Sequence, residues 1–185
     1  PHVAPDPASR PVSAAAELPT VTVLIPTYQE ASAIDACLDA VERQTYPAIV
    51  ETLVVDGGSD DGTQAMAAAH PGVTVLDNPG RIQSAALNIG IDAAVGEVLV
   101  RVDGHCVIAD DYVERCVAAL DESGAAMVGG GMTPVAHGAI QEGIADAMAS
   151  RFGAGPARFH TGGEAGWVDT VYLGAYRRDV VREVG

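Results

Sequence analysis

Residues 52–63 read TLVVDGGSDDGT, and this stretch carries the pattern that decides the fold class. Thr52 to Val55 are a short run rich in β-branched residues, which ends at Asp56 in a glycine-rich turn. An alanine-rich helix is predicted directly after the turn, from Thr63 to Ala69. A strand that passes through a polar turn into a helix is the first half of a βαβ unit.

The same alternation extends from this stretch toward both ends of the chain. Upstream, residues 21–25 predict a strand stopped by Pro26, and Ser32 is expected to cap a helix with apolar residues at helical spacing. Downstream, strands and helices are predicted in turn at 73–76, 82–94, 98–102, 111–120 and 126–128. Elements that alternate in this way predict an α/β domain with a mainly parallel sheet, mixed at an edge and flanked by helices.

The pattern weakens toward the two ends. A helix at 140–152, a glycine-rich loop at 153–166, a strand at 167–173 and a short helix from Arg178 are predicted. Residues 1–20 are rich in Pro and Ala, and we interpret them as a disordered arm or the remnant of a tag. The domain, residues 21–185, is expected to be truncated, because the chain stops just after that short helix.

Composition agrees with one α/β domain. Hydrophobic residues make up 48% of the 185 residues but aromatic residues only 4%, so the core must consist of Val, Ala, Leu and Ile. No apolar run approaches the ~20 residues of a membrane helix, and no signal peptide is recognisable. The three cysteines form no CxxC pair, which favours reduced thiols in an intracellular protein.

The charge of the chain excludes several classes of function. A net charge of -15 argues against nucleic acid and anionic membranes as primary partners. The ten cationic residues are all Arg, and without Lys the chain cannot contain a Walker-A loop, a protein-kinase site or a pyridoxal-phosphate Schiff base. A phosphate-bearing ligand would therefore need a metal ion or a well-placed Arg.

Polar clusters follow three of the predicted strands, at 27–30, 56–61 and 103–105. The carboxyl ends of parallel strands lie at one edge of the sheet, where ligands bind, so the clusters are expected to converge. Asp103 and His105 stand two residues apart just beyond a strand, and an oxygen and an imidazole ligand in this arrangement can reach one metal ion.

In this order the clusters resemble those of the family 2 glycosyltransferases, which have the GT-A fold, a Rossmann-like fold for nucleotide-diphospho-sugar transfer. The resemblance rests on VLIPTYQE at 23–30, VVDGGSDDGT at 54–63, residues 78–90, and RVDGH at 101–105, which stands where the family carries D-x-D. Together with VDTV at 168–171, RVDGH is most similar to the succinoglycan-biosynthesis type of bacterial polysaccharide transferase. The resemblance covers about residues 21–185.

The resemblance implies a site for a nucleotide sugar and a divalent metal. The residues it assigns to the nucleotide sugar are Pro26, Thr27, Tyr28, Glu30, Asp56, Gly57, Arg81, Asn88, Arg101, Asp103 and Gly104. The metal site comprises Asp103 and His105. Because His replaces the family's second Asp, we expect Mn²⁺ to be preferred over Mg²⁺, with His105 as direct ligand and Asp103 also able to hold the ribose or a metal-bound water.

Other roles stay open for several of these residues. Asp56 could be a turn residue, Tyr28 could lie at the edge of the core, and Arg81 and Arg101 could form structural ion pairs. A zinc site at Cys106 is disfavoured because the chain has no CxxC pattern.

The function implied is metal-assisted, inverting transfer of a sugar from a nucleoside-diphosphate donor, with uridine diphosphate as default, to a glycan or lipid-linked acceptor. The resemblance places the catalytic base beyond Gly185, with Asp169 as an acceptor-side candidate. It implies a cytoplasmic location, at the inner face of the plasma membrane in a full-length protein whose membrane contact would come from segments absent here. The alternative is a non-catalytic nucleotide-sugar sensor or scaffold. A sugar nucleotidyltransferase is disfavoured because its phosphate loop and catalytic Lys are missing.

Overall fold

The computed structural model describes residues 17–131, 166–168 and 171–184. The predicted helix at 140–152, most of the loop at 153–166, and Asp169 lie outside these residues. In chain order the described elements are β1 (Val21–Thr27), α1 (Ile34–Glu42), β2 (Ile49–Asp56), α2 (Thr63–Ala69), β3 (Val73–Asp77), α3 (Gln83–Ala93), β4 (Val98–Arg101), α4 (Tyr112–Ser123), β5 (Met127–Gly130), β6 (Tyr172–Arg177) and α5 (Arg178–Val184).

The described strands form one sheet in the order β3-β2-β1-β4-β6-β5. The first four strands in the chain pair in parallel, whereas β6 runs antiparallel to both of its neighbours, β4 and β5. The prediction of a mainly parallel sheet with a mixed edge is therefore confirmed. The chain moves outward from β1 through β2 to β3 and then returns to the other side of β1 as β4, which creates a topological switch point between β1 and β4.

Both faces of the sheet are covered, as the continuous apolar strands require. On one face, Val23 and Ile25 of β1 pack in a cluster with Leu38 of α1 and Val113 of α4. On the other face, a smaller cluster joins Leu24, Leu53, Val55 and Leu99 to Ala86 and Ala94, which belong to α3 and its C-terminal cap. Successive strand residues thus bury their side chains on opposite faces.

The packing of α3 on β1 depends on Gly90, because a Cβ there would overlap the side chain of Leu24. We predict that Gly90→Ala destabilises the fold by about 1–3 kcal/mol, the usual cost of overpacking, despite the higher helix propensity of alanine. Urea unfolding measures the change. In the double variant Gly90→Ala with Leu24→Ala the overlap is gone, so the two losses should be less than additive. Strictly additive losses would contradict the assigned contact.

Pro26 does not stop the first strand, contrary to the sequence prediction. β1 continues to Thr27, and Pro26 pairs with Val55 of β2. Leu24 faces β4, since its carbonyl accepts the N–H of Val102. An N–H at position 26 would point the same way, past Arg101, the last residue of β4, so the proline lies where the β1–β4 ladder ends.

Two further predictions need correction. The first turn of α1 is not capped by Ser32; the N-cap is Ala33, no described side chain caps the turn, and the carbonyl of Glu30 accepts the first N–H groups. The strand predicted at 167–173 lies instead at Tyr172–Arg177, and Trp167 is 82% exposed outside any regular element. None of the helices within the described ranges has the length and apolar character needed to cross a membrane.

Candidate active site

A cleft of about 180 Å³ opens at the carboxyl edge of the parallel strands, and its walls come from the segments that follow β1, β2, β3 and β4. Ligands of open α/β sheets bind in this position, beside the switch point. Nine of the residues predicted from the sequence line the cleft: Pro26, Thr27, Tyr28, Glu30, Gly57, Arg81, Asp103, Gly104 and His105.

Asp56, the last residue of β2, is fully buried next to the cleft. Its carboxylate accepts hydrogen bonds from the hydroxyls of Thr27 (2.9 Å) and Ser59 (2.6 Å), the N–H groups of Gly58 (2.9 Å) and Ser59 (2.7 Å), and the amide of Gln64 (2.7 Å). Burial acts to raise the pKa of Asp56, but the hydrogen bonds, chiefly from Ser59, outweigh it and hold the pKa below its ordinary value. Asp56 therefore organises the turn, and its contact with a nucleotide stays a prediction.

The segments after β1 and β2 are tied together by hydrogen bonds. The N–H of Gln29 donates to the hydroxyl of Ser59 (2.8 Å), and the N–H of Glu30 donates to the hydroxyl of Thr63 (2.9 Å). That hydroxyl in turn donates to Asp61 (2.6 Å), a bond that holds the pKa of Asp61 below its ordinary value. The backbone of Glu30 is thereby fixed relative to β2 and α2.

The segment after β4 packs directly on the segment after β1. His105 Nδ1 lies 2.8 Å from Glu30 Oε1, and both residues line the cleft. Between them, a Cβ added at Gly104 would lie 2.9 Å from Thr27 Cγ2 and 3.2 Å from Glu30 Cγ. Glycine at position 104 is therefore what allows the two segments to approach this closely.

Arg101 and Asp103 form a partly buried ion pair beside the cleft. The guanidinium donates to Asp103 Oδ1 from both Nε (2.9 Å) and Nη2 (2.8 Å), and Oδ2 takes no part in this pair. In the described part of the chain, Arg101 is not among the residues that line the cleft. This position agrees with a structural ion pair, one of the two roles that the sequence left open for Arg101. Its guanidinium orients the Asp103 carboxylate, and a nucleotide contact of Arg101 stays a prediction.

The residues after β4 fit a divalent cation. One donor atom each of Asp103, His105 and Cys106 can be chosen so that all three lie within 4.8 Å of one another, close enough to meet at one ion. Carboxylate oxygen and imidazole nitrogen are both ligands that Mn²⁺ accepts. Cys106 Sγ instead lies 2.9 Å from the hydroxyl of Tyr172, and burial raises the pKa of this thiol, which disfavours the ligating thiolate.

The apolar part of the cleft combines two exposed side chains with two buried residues of the fold. Tyr28 is 51% exposed and Ile82 is 61% exposed, and both line the cleft with Pro26 and Ala86. The Tyr28 ring packs over Gly57, where a Cβ would lie 3.2 Å from Tyr28 Cδ2. An aromatic ring and aliphatic groups around a small cleft suit a flat, partly apolar ring system.

Arg81 is the only arginine among the described residues that line the cleft. Its φ of 54° lies in the left-handed region, and its guanidinium reaches over the turn after β2, where a Cβ at Gly58 would lie 3.4 Å from Nη2. The first turn of α3, which no described side chain caps, follows directly and adds Ile82, Gln83 and Ala86 to the wall. A guanidinium beside a helix N-terminus is a favourable environment for an anion.

Sequence reasoning selected Asn88 where the structure places Asn78 on the cleft. Asn88 is exposed on α3 and, within the described residues, lies off the cleft wall. Asn78 is buried beside β3 and lines the cleft; its side-chain amide donates to the carbonyl of Ile82 (3.0 Å), and no described group donates to its Oδ1. The Asn-Pro-Gly turn after a strand was the available signal for this residue.

Comparison with known proteins assigns the chain to a family. Residues 22–185 match the family model described as glycosyl transferase family 2. The chain belongs to glycosyltransferase family 2. It is 34% identical over 169 residues to the succinoglycan biosynthesis protein ExoA of Rhizobium meliloti, covering 88% of this chain and 51% of ExoA. It is 40% identical over 119 residues to the glycosyltransferase AglE of Haloferax volcanii, covering 61% of this chain and 39% of AglE.

Two solved structures share the fold. The mannosyltransferase PcManGT of Pyrobaculum calidifontis, solved with GDP-Man and Mn²⁺, superposes with a TM-score of 0.64 at 27% identity over 99% of this chain and 49% of PcManGT. TarS of S. aureus superposes with a TM-score of 0.65 at 20% identity over 89% of this chain and 49% of the TarS chain, a likeness of fold alone. The predicted family, its succinoglycan-biosynthesis type and the GT-A fold are confirmed. The chain spans about half the length of ExoA and about half the length of PcManGT.

Proposed function

We propose that this chain is the donor-binding part of a family 2 glycosyltransferase that takes a sugar from a nucleoside diphosphate with the help of a divalent cation. The observation that carries the proposal is the meeting of Asp103, His105 and Arg81 around one cleft with apolar walls. The cleft therefore combines ligands for a cation, a guanidinium for phosphate and a flat apolar surface for a base.

Two relatives support the parts of this proposal that the fold alone does not supply. PcManGT, 27% identical to this chain, was solved with a nucleoside-diphosphate sugar and Mn²⁺. ExoA, 34% identical, is a succinoglycan biosynthesis protein, so we propose a glycan or lipid-linked acceptor in polysaccharide synthesis. We retain uridine diphosphate as the default donor nucleotide and place guanosine diphosphate beside it because of PcManGT. We further propose that the enzyme acts in the cytoplasm, at the inner face of the membrane.

Each wall of the cleft has a separate task in this proposal. The base lies against Tyr28 and Ile82, whose exposed surfaces would be covered by the ligand. Arg81 and the first turn of α3 bind phosphate oxygens, and Asp103 and His105 hold the cation. Held there, a divalent cation would supply neutralisation of the charge on the departing diphosphate. Inversion by a carboxylate base beyond Gly185, with Asp169 on the acceptor side, completes the proposal.

Calorimetry with UDP, GDP and their sugars, with and without Mn²⁺, tests the proposal on this chain. We expect one of the nucleotides to bind at least about 10-fold more tightly with Mn²⁺ than with EDTA, since the chain has a net charge of -15 and needs a cation beside the diphosphate. Mg²⁺ at the same concentration should support weaker binding than Mn²⁺, because imidazole suits Mn²⁺ better. No heat with any nucleotide would refute the assignment of the cleft.

A further inference from the structure

Hydrogen bonds fix the backbone of Glu30, and a packing contact restricts its side chain, so the carboxylate has a defined position. Its N–H donates to the hydroxyl of Thr63, and its carbonyl accepts the N–H groups of Ala33 and Ile34, each at 2.9 Å. The side chain is 21% exposed and lies against Gly104. These contacts anchor Glu30 to α1 and α2, and α1 also contacts the segment after β4, where Cys37 Sγ lies 3.6 Å from the carbonyl of Asp103.

The Glu30 carboxylate contacts one ring nitrogen of His105, and this contact decides which ring nitrogen remains free to bind a metal ion. Nδ1 lies 2.8 Å from Glu30 Oε1, whereas the His105 side chain is otherwise 61% exposed. A carboxylate accepts hydrogen bonds but donates none, so Nδ1 must carry the proton in the neutral ring. The lone pair is then on Nε2, the nitrogen available to a metal ion.

We propose that Glu30 is a positioning residue of the metal site, acting through His105: its carboxylate fixes the ring and its tautomer so that Nε2 is presented to the cation. This inference rests on the proposed function, since it requires that His105 binds a metal. An exposed imidazole without such a partner would populate several rotamers and both tautomers, and ordering it on binding would weaken the affinity. Glu30 thus couples the segment after β1 to the metal held after β4.

A double-mutant cycle on Mn²⁺ affinity tests the coupling. Mn²⁺ is titrated into the full chain in the presence of the nucleotide that binds best, and free Mn²⁺ is read by electron paramagnetic resonance. We expect Glu30→Ala to weaken Mn²⁺ binding by about 10- to 100-fold, the usual effect of removing the partner of a ligating His. In the His105→Ala background the same change should alter the affinity by less than about 2-fold, because a residue that acts through another has no effect without it.

Two further variants control the cycle. Glu30→Gln keeps an oxygen that can accept from Nδ1 and should recover most of the affinity lost in Glu30→Ala. Glu42→Ala removes a carboxylate that contacts another imidazole, since Glu42 Oε1 lies 3.1 Å from His70 Nδ1, and should leave binding at the cleft unchanged. Because the backbone contacts of Glu30 do not need its side chain, these variants are expected to fold, which thermal unfolding checks.

The tautomer of His105 provides a readout without metal or activity. In metal-free protein, at a pH where the ring is neutral, ¹⁵N chemical shifts should show the proton on Nδ1 in the wild-type chain and a mixture of tautomers in Glu30→Ala. An unchanged tautomer in Glu30→Ala, or equal losses of Mn²⁺ affinity in both backgrounds of the cycle, would overturn the inference and leave the proposed function standing. A wild-type chain that binds no Mn²⁺ even with UDP or GDP would overturn both.

Discussion

Mn²⁺ binding by the His105→Ala variant is expected to be at least about 100-fold weaker than binding by the wild-type chain. His105 is one of two described residues assigned as metal ligands, and the other, Asp103, already shares its Oδ1 with Arg101. Loss of a residue that merely supports a ligating His costs about 10- to 100-fold, and loss of the ligand itself should cost no less. Electron paramagnetic resonance of free Mn²⁺, with nucleotide present, measures the change.

A second histidine offers a matched control. His70 lies between Asp35 (3.2 Å) and Glu42 (3.1 Å), and a group made of Asp39, Glu42 and His70 also has donor atoms within 4.8 Å of one another. His70→Ala should not change the Mn²⁺ binding that depends on nucleotide. If His70→Ala lowers that binding as much as His105→Ala does, the metal site has been placed at the wrong cluster.

The substitution His105→Asp separates the role of the ligand type from the role of the position. It restores the oxygen ligand that the resemblance leads one to expect after β4. Mg²⁺ prefers oxygen ligands, so the ratio of Mn²⁺ to Mg²⁺ affinity should fall in this variant while nucleotide binding persists. An unchanged ratio would mean that the imidazole does not set the metal preference.

The net negative charge of the chain explains why Arg81 and a bound metal ion matter for the binding of a diphosphate. With a net charge of -15, the protein repels a nucleoside diphosphate at long range, although salt screens this repulsion beyond roughly 10 Å. At the cleft, the described wall contains one arginine, Arg81, and two acidic residues, Glu30 and Asp103. A cation at Asp103 would neutralise that side of the cleft, which makes binding of the diphosphate and of the metal mutually dependent.

The sequence predicted which strands build the cleft, because strand periodicity and turn residues are local signals, although β1 continues past the predicted stop at Pro26. Thr63–Ala69 was predicted with both of its ends, and Asp103 and His105 meet as their spacing after a strand required. The prediction of Ser32 as the N-cap of α1 was wrong, because the carbonyl of Glu30, held by long-range contacts, already accepts the N–H groups at the start of that helix. Sequence rules for helix capping use only neighbouring residues, so they do not identify a backbone acceptor that contacts with another loop hold in place.

The parts of the site that the sequence missed depend on contacts between distant segments. Asn78 and Asn88 are indistinguishable as residue types, and what separates them is position, since Asn78 follows the end of β3 and lines the cleft whereas Asn88 lies within α3. Asp56 was chosen correctly as a residue at a strand end, but its carboxylate is occupied by donors from the last residue of β1, from the segment after β2 and from α2. Likewise, nothing within five residues of Glu30 reveals that its carboxylate meets His105.

Removal of the Asp56 carboxylate is expected to destabilise the chain by about 3–5 kcal/mol. The variant Asp56→Ala leaves the donors of Thr27, Gly58, Ser59 and Gln64 without their shared acceptor, and each buried donor that loses its partner costs about 1–3 kcal/mol. Urea unfolding at neutral pH measures the loss. Asp60→Ala is the control, because Asp60 is exposed and accepts one hydrogen bond from Gln29, so its loss should stay within about 0.5 kcal/mol.

The pH dependence of the stability difference between the wild-type chain and Asp56→Ala identifies the charge of the Asp56 carboxylate as the source of that difference. The hydrogen bonds hold the pKa of Asp56 in the folded chain below its ordinary value of 3.8, so the unfolded chain takes up the proton first as the pH falls. The contribution of Asp56 is therefore complete above that value and is lost as the pH falls toward the folded-state pKa. We expect the stability gap between the wild-type chain and Asp56→Ala to be constant at neutral pH and to narrow below about pH 4. A gap that widens on acidification would show that Asp56 does not hold the turn as a charged acceptor.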